Sequence, residues 1–264
     1  MSQKKYKYDL GVIGYGNMSS AIIRHISKLK IIVSDVDKQR LIELGNSKIT
    51  TTQDNSQVVA NSKYILLAVK PQSAKEVLAG IDFSDKILMS IMAGVNIASL
   101  KDMAKGVKGV ARVMLNLNAV VGYSANAICF DGLADTEKKF IMRFCDMFGV
   151  TLEANENDIN IITGLSGSGP AFVYKFIKSL ISAGVDGGLS EDHAKGLALS
   201  TILGSACLIG QTEVSAIDGM IYQVCSPNGT TIEGVKYLDE VGFEDIVKEA
   251  VLRAKRRSEE LSKE

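Results

Sequence analysis

Two hydrophobic patterns divide this chain. In its first half, short apolar runs at residues 8–13, 31–34, 48–52, 64–69, 87–91 and 110–114 are separated by stretches of helical spacing. One helix is predicted from the Gly14-Tyr15-Gly16 turn through about Leu29, and others over 73–78 and 97–103. Near-continuous apolar strands alternating with helices specify a parallel sheet covered on both faces. Strands at 125–130 and 150–153, on either side of a helix over 136–148, complete that part. Beyond Asn155 the strand signal fades, and residues 171–183, 191–210, 231–239 and 243–261 read as helices. The pattern therefore predicts an α/β domain over residues 1–155 and an all-α domain over 156–264. The last helix ends in alternating charge and reads as a solvated tail.

Composition narrows the function classes. The 264 residues are 46% hydrophobic, enough for two modest cores, and the formal net charge is zero. A chain without a basic surplus is a poor candidate for wrapping nucleic acid. No apolar stretch precedes the first strand, so a cytoplasmic chain without a secretory signal is expected. The uncharged run 196–211 is short for a membrane span and reads as a buried helix. Cys129, Cys145, Cys207 and Cys225 form no CxxC pair and are expected to be reduced, mostly buried thiols. His25 and His193 each fall within a predicted helix away from other metal ligands, so neither a metal site nor Ser-His-Asp chemistry is expected.

The first turn carries the first chemistry. Gly14, Gly16 and Ser19 follow the first strand and open a helix. Gly14 permits the tight turn, Gly16 lets backbone approach a pyrophosphate, and Ser19 lets helix and strand pack closely. Free N–H groups at the helix start then face the phosphates. This makes the N-terminal domain Rossmann-type and dinucleotide-binding. The second strand ends Ser34-Asp35-Val36-Asp37, and an acid there accepts from the ribose hydroxyls and repels a 2′-phosphate. Asp35 thus leans toward NADH, with Lys38 and Arg40 the nearest cations. The alternative is that Asp35 or Asp37 merely caps the next helix.

Two segments in the helical half stand out: TGLSGSGPAF at 163–172 and VCSPNGTTIE at 224–233. Each brings glycines and small polar residues into a helix start, which suits a carboxylate; two ordinary helix caps are the plain alternative. With Gly11 to Met18, LAVKP at 67–71, SIMAGV at 90–95 and RVMLN at 112–116, these segments resemble the pyrroline-5-carboxylate reductase family over nearly the whole chain.

The resemblance implies reduction of the ring C=N bond of Δ1-pyrroline-5-carboxylate to L-proline with NADPH or NADH, the last step of proline biosynthesis. It implies that the dinucleotide lies on Gly14, Tyr15, Gly16, Asn17 and Met18. Asn55 is placed near the adenosine ribose, and the turns Ala68-Val69-Lys70-Pro71 and Ala93-Gly94 near the ribose and nicotinamide. The substrate carboxylate is expected on N–H groups of Gly229, Thr230 and Thr231, with Ser226 and Asn228 beside it and the Thr231 hydroxyl at the ring nitrogen as the catalytic group. Glu213 is a second candidate. The helical domain is expected to form a homodimer or larger homo-oligomer. Leu115, Leu117 and Asn118 stand where the family commonly has Pro, Thr and Pro around the RxMxN asparagine. Rival readings are a related cyclic-imine or β-hydroxyacid reductase, for which Lys175 and Lys178 are the nearest catalytic lysines, and a non-catalytic dinucleotide sensor.

Overall fold

The computed structural model describes residues 6–44 and 49–262. Its first elements are β1 (Tyr8–Ile13), α1 (Asn17–Ile23), β2 (Ile31–Ser34), α2 (Lys38–Leu44), β3 (Thr50–Thr52), α3 (Asn55–Asn61) and β4 (Ser62–Leu67). They are followed by α4 (Pro71–Leu78), β5 (Ile87–Ser90), α5 (Ile97–Met103), β6 (Gly109–Met114), β7 (Ser124–Asp131), α6 (Asp135–Cys145) and β8 (Gly149–Glu153). Each expected strand is present. The third is shorter than the 48–52 reading, and Lys48 lies outside the described residues.

The eight strands form one sheet in the order β3-β2-β1-β4-β5-β6-β7-β8. Strands β1 to β6 run parallel, β7 is antiparallel to β6, and β8 is parallel to β7. Because β1 lies between β2 and β4, successive crossovers leave it in opposite directions, and a crevice opens at its carboxyl end. Helices cover both faces, so central strands are apolar throughout. All four residues of β2 and of β5 are buried. One core layer gathers Leu10, Val12, Ile22, Phe144 and Phe148, and the other Ile13, Ile65, Leu67, Phe83 and Leu88.

Several boundaries differ from expectation for local reasons. Helix α1 stops at Ile23 instead of near Leu29, and His25 lies just past its end. The His25 Nε2 atom sits 2.7 Å from the Ala119 carbonyl, on the 3-10 turn Leu117–Val121. Strand β4 ends at Leu67, two residues earlier than the 64–69 reading, and the Ala68 N–H donates to the Ile13 carbonyl as the last rung to β1.

By packing, Met1–Ser168 and Ala254–Glu264 make one compact unit and Gly169–Arg253 a second. Residues 156–168 therefore pack with the sheet. Glu156 accepts from Arg112 at 2.9 Å and from the Ile97 N–H at 2.8 Å, and Ile159 of α7 (Ile159–Ile162) is buried against the second core layer.

The second unit is helical: α8 (Gly169–Asp186), α9 (Glu191–Ile209), α10 (Ile217–Val224), α11 (Thr230–Glu240) and the start of α12 (Phe243–Leu261). Helix α10 escaped the sequence reading. The expectation of a buried helix over 196–211 is not met, since Leu197, Leu203 and Leu208 are each more than half exposed. Cys207 on the same helix is exposed, so the thiols are not mostly buried; Cys129 and Cys145 are. The charged tail is not wholly solvated either. Ser258 of α12 is buried and donates to Asn160 at 2.8 Å, within the first unit.

Candidate active site

The carboxyl ends of β1, β2 and β4 bound a cleft of about 540 Å³. Gly14, Gly16, Ser34, Asp35, Asn55, Ala68, Val69 and Lys70, all read from the sequence, line it. Hydrogen bonds hold its rim together: Gly14 donates to the Ser34 carbonyl at 2.8 Å and Ala68 to the Ile13 carbonyl at 2.9 Å. Gly14 is obligatory on two counts. Its φ is +95°, and a Cβ there would fall 2.7 Å from the Ala68 carbonyl oxygen. Above Gly16 the space is open, since a Cβ would meet nothing nearer than Arg40 Nη1 at 4.0 Å. No side chain caps Gly16 at the start of α1. An open glycine backbone beside uncapped helix N–H groups fits the pyrophosphate of a dinucleotide. Tyr15, Asn17 and Met18 share this turn, Pro71 opens α4, and Ala93 and Gly94 follow β5, but these six do not line the cleft.

The end of β2 resolves the capping question. Asp37 accepts from the N–H groups of Gln39 and Arg40, at 2.9 and 3.4 Å, and so caps α2. Asp35 reaches the other way. Its Oδ2 accepts the Tyr15 N–H at 2.6 Å and its Oδ1 the Asp37 N–H at 2.8 Å. Ser34 is buried and donates to Asn55 Oδ1 at 2.7 Å, which fixes Asn55 at the start of α3. Burial pushes the Tyr15 phenol above its ordinary range. Val36, Arg40, Ser73, Glu76 and Val77 also line the cleft and were not read as site residues. The last three share one face of α4 at i, i+3, i+4 spacing, a signal the sequence does carry.

Asn116 joins two of the motifs. It is buried, donates to the Ser166 carbonyl at 2.9 Å, and accepts from the Asn118 N–H at 3.1 Å. Residues Thr163–Gly167 form a π-helical turn leading into α8. The hydroxyls of Thr163 and Ser166 turn back to the carbonyls of Ile159 and Ile162, at 2.7 and 3.0 Å. Those two hydroxyls, on which the carboxylate reading of the segment drew, are spent within the helix.

The other segment lies within the second unit. Asn228 holds φ +59°, the left-handed conformation asparagine tolerates, and swings the chain into α11. Gly229 is the N-cap, and no side chain caps the helix there. Ser226 Oγ occupies the space that a Cβ on Gly229 would need. Gly229 donates to the Ser226 carbonyl at 2.9 Å, so its N–H closes the turn and is not presented as expected. Thr230 and Thr231 open the helix with exposed side chains. Glu213 is exposed ahead of the 3-10 turn Val214–Ala216, and Lys175 and Lys178 are exposed on α8.

Among the described residues, no three histidine, cysteine or acidic side chains gather as a metal site. No helix among the described residues is long and apolar enough to cross a membrane. Burial pushes the Cys129 thiol up to about 11, so it stays protonated near neutrality.

A doubly wound sheet, a glycine-floored cleft at its switch point and a helical region after it define a Rossmann-type dinucleotide-binding oxidoreductase. A family model described as pyrroline-5-carboxylate reductase dimerisation matches residues 156–261, and one described as NADP oxidoreductase, coenzyme F420-dependent, matches residues 9–94. The pyrroline-5-carboxylate reductase of Aquifex aeolicus is 36% identical, with 96% of this chain and 97% of that protein covered. That of Pisum sativum is 35% identical, covering 97% and 96%. A crystal structure of the Plasmodium falciparum pyrroline carboxylate reductase with NADP bound superposes with a TM-score of 0.86 at 32% identity, over 97% of this chain and 99% of that one. The chain belongs to the pyrroline-5-carboxylate reductase family.

Proposed function

We propose that the chain reduces the C=N bond of Δ1-pyrroline-5-carboxylate to L-proline, with NADPH or NADH held in the β1–β2–β4 cleft. The observation that carries this reading is the glycine-floored cleft of the first unit, on a chain matched over 96% of its length by a reductase of this name; the second unit by itself offers the uncapped start of α11. Bound in the cleft, the reduced nicotinamide supplies a hydride to the imine carbon.

The rest of the work falls to the chain. The glycine turn and Asn55 hold the dinucleotide, and Ala68 to Pro71 with Ala93 and Gly94 shape its nicotinamide end. The positive end of the α11 dipole, with the N–H groups of Thr230 and Thr231, anchors the substrate carboxylate beside Ser226 and Asn228. Thr231 presents its hydroxyl to the ring nitrogen and relays a proton from water. A protonated imine is a good hydride acceptor, so no strong base is required, and positioning supplies most of the rate. Asp35 favours NADH. Residues 1–155 serve the dinucleotide, while residues 156–264 serve the substrate and pair two copies. The exposed thiol of Cys207 and the need for reduced dinucleotide suit the cytoplasm.

The test is steady-state turnover of Thr231→Ala and Thr231→Ser. Loss of the hydroxyl is expected to slow turnover tens- to hundreds-fold, about 2–3 kcal/mol, with serine restoring most of it. Undiminished turnover by Thr231→Ala removes this residue from the mechanism.

A further inference from the structure

The β2–α2 segment puts opposed charges at the cleft. Asp35 and Arg40 both line it, whereas Lys38, the other nearby cation, does not. Arg40 is held as a bracket. Its Nη1 donates to the Tyr15 carbonyl at 3.2 Å, and its Nε pairs with Asp37 Oδ2 at 3.3 Å. The side chain is about half exposed, at 49%, and a guanidinium carries five N–H donors, so donors remain to face the cleft. Asp35 already has a backbone N–H on each carboxylate oxygen, from Tyr15 and Asp37. Ser34 spends its hydroxyl on Asn55. Val36, the residue directly after the acid, is 86% exposed and carries no charge.

A 2′-phosphate adds nearly two negative charges beside Asp35. Without a cation that wall repels it, and a forked guanidinium is the group that best offsets a phosphate. We propose that Arg40 is the specificity residue at this position, giving the cleft room for the 2′-phosphate of NADPH despite Asp35, so that both dinucleotides bind. This rests on the reading of the cleft as the dinucleotide site. Arg40 does not act on the reacting atoms; it weighs one cofactor against the other. Removing it leaves Asp35 and Asp37 uncompensated and makes the chain selective for NADH.

The experiment is calorimetric titration of the whole protein with NADH and with NADPH, which differ only in that phosphate, for wild type, Arg40→Ala and Arg40→Lys. Wild type is expected to bind both. Arg40→Ala should weaken NADPH by about tenfold or more while NADH holds within about twofold, and Arg40→Lys should recover part of the loss. Retained NADH binding also shows that the variant is folded. Equal weakening of both nucleotides would assign Arg40 to the support of the glycine turn and overturn the proposal. Wild type binding NADH but not NADPH would overturn it as well. Failure of wild type to bind either nucleotide would instead defeat the reading of the cleft itself.

Discussion

The sheet unit and the helical unit handle apolar surface in opposite ways. In the first, Leu10, Ile65, Phe83, Ile87 and Phe148 are fully buried. In Gly169–Arg253, only Pro170, Ala194 and Ala198 are buried among the described residues, while Leu197, Leu203, Val214 and Tyr222 are each more than 60% exposed. The α9 helix shows why. Its apolar residues surround it instead of keeping to one stripe, so a few neighbouring helices cannot cover them all. A lone chain rarely leaves so much apolar surface in water. The contrast teaches that the sheet unit is complete in one copy. The helical unit leaves its apolar faces uncovered in one copy, and the family model that matches 156–261 is one described as dimerisation.

The sharpest break of this comparison is a pair of substitutions. Phe83→Ala empties a buried site in the sheet unit and should cost about 3–5 kcal/mol in chemical denaturation. Leu203→Glu should cost the isolated fold less than about 0.5 kcal/mol yet shift the protein toward monomer in sedimentation. If Leu203→Glu leaves the oligomer intact, the exposed helical surface serves some other purpose.

The charge pairs sharpen the same contrast. In the sheet unit, Glu137 is buried and takes Lys63 at 2.9 Å, Lys108, and the Ala134 N–H at 3.1 Å. Burial raises its pKa, but the hydrogen bonds from Lys108 and Lys63 outweigh that and bring it down to about 2. A carboxylate with a lowered folded pKa stabilises above its ordinary value of 4.5, and that stability is lost as pH falls toward about 2. Glu137→Gln should therefore cost about 2–3 kcal/mol near neutrality, with the gap from wild type closing through that acid window. Pairs on the helical unit, such as Lys236 with Glu233 and Arg253 with Glu249, are exposed on both sides. Removing either should leave the acid profile unchanged.

Much of the fold was legible because parallel strands and glycine turns are local signals. The strand run from Tyr8 to Ile13 and the Gly14 turn after it announce themselves within a few residues. What escaped depends on distant partners. His25 and Ala119 are far apart in sequence, and their contact accompanies the early end of α1. Asp35 and Tyr15 meet across two loops, so the sequence could not say whether Asp35 caps a helix or clamps the glycine turn. Exposure of α9 was misread because apolar content reports a need for burial, not which molecule meets it. The hydroxyls of Thr163 and Ser166 looked available because a π-helical turn leaves no sequence mark that distinguishes it from a helix start.

The central claim is chemical, and one measurement reaches it directly: product analysis of wild type given Δ1-pyrroline-5-carboxylate with NADH or NADPH. The account predicts one L-proline formed for each dinucleotide oxidised. Tight dinucleotide binding with neither oxidation nor proline would contradict it and leave a chain that senses the cofactor without using it.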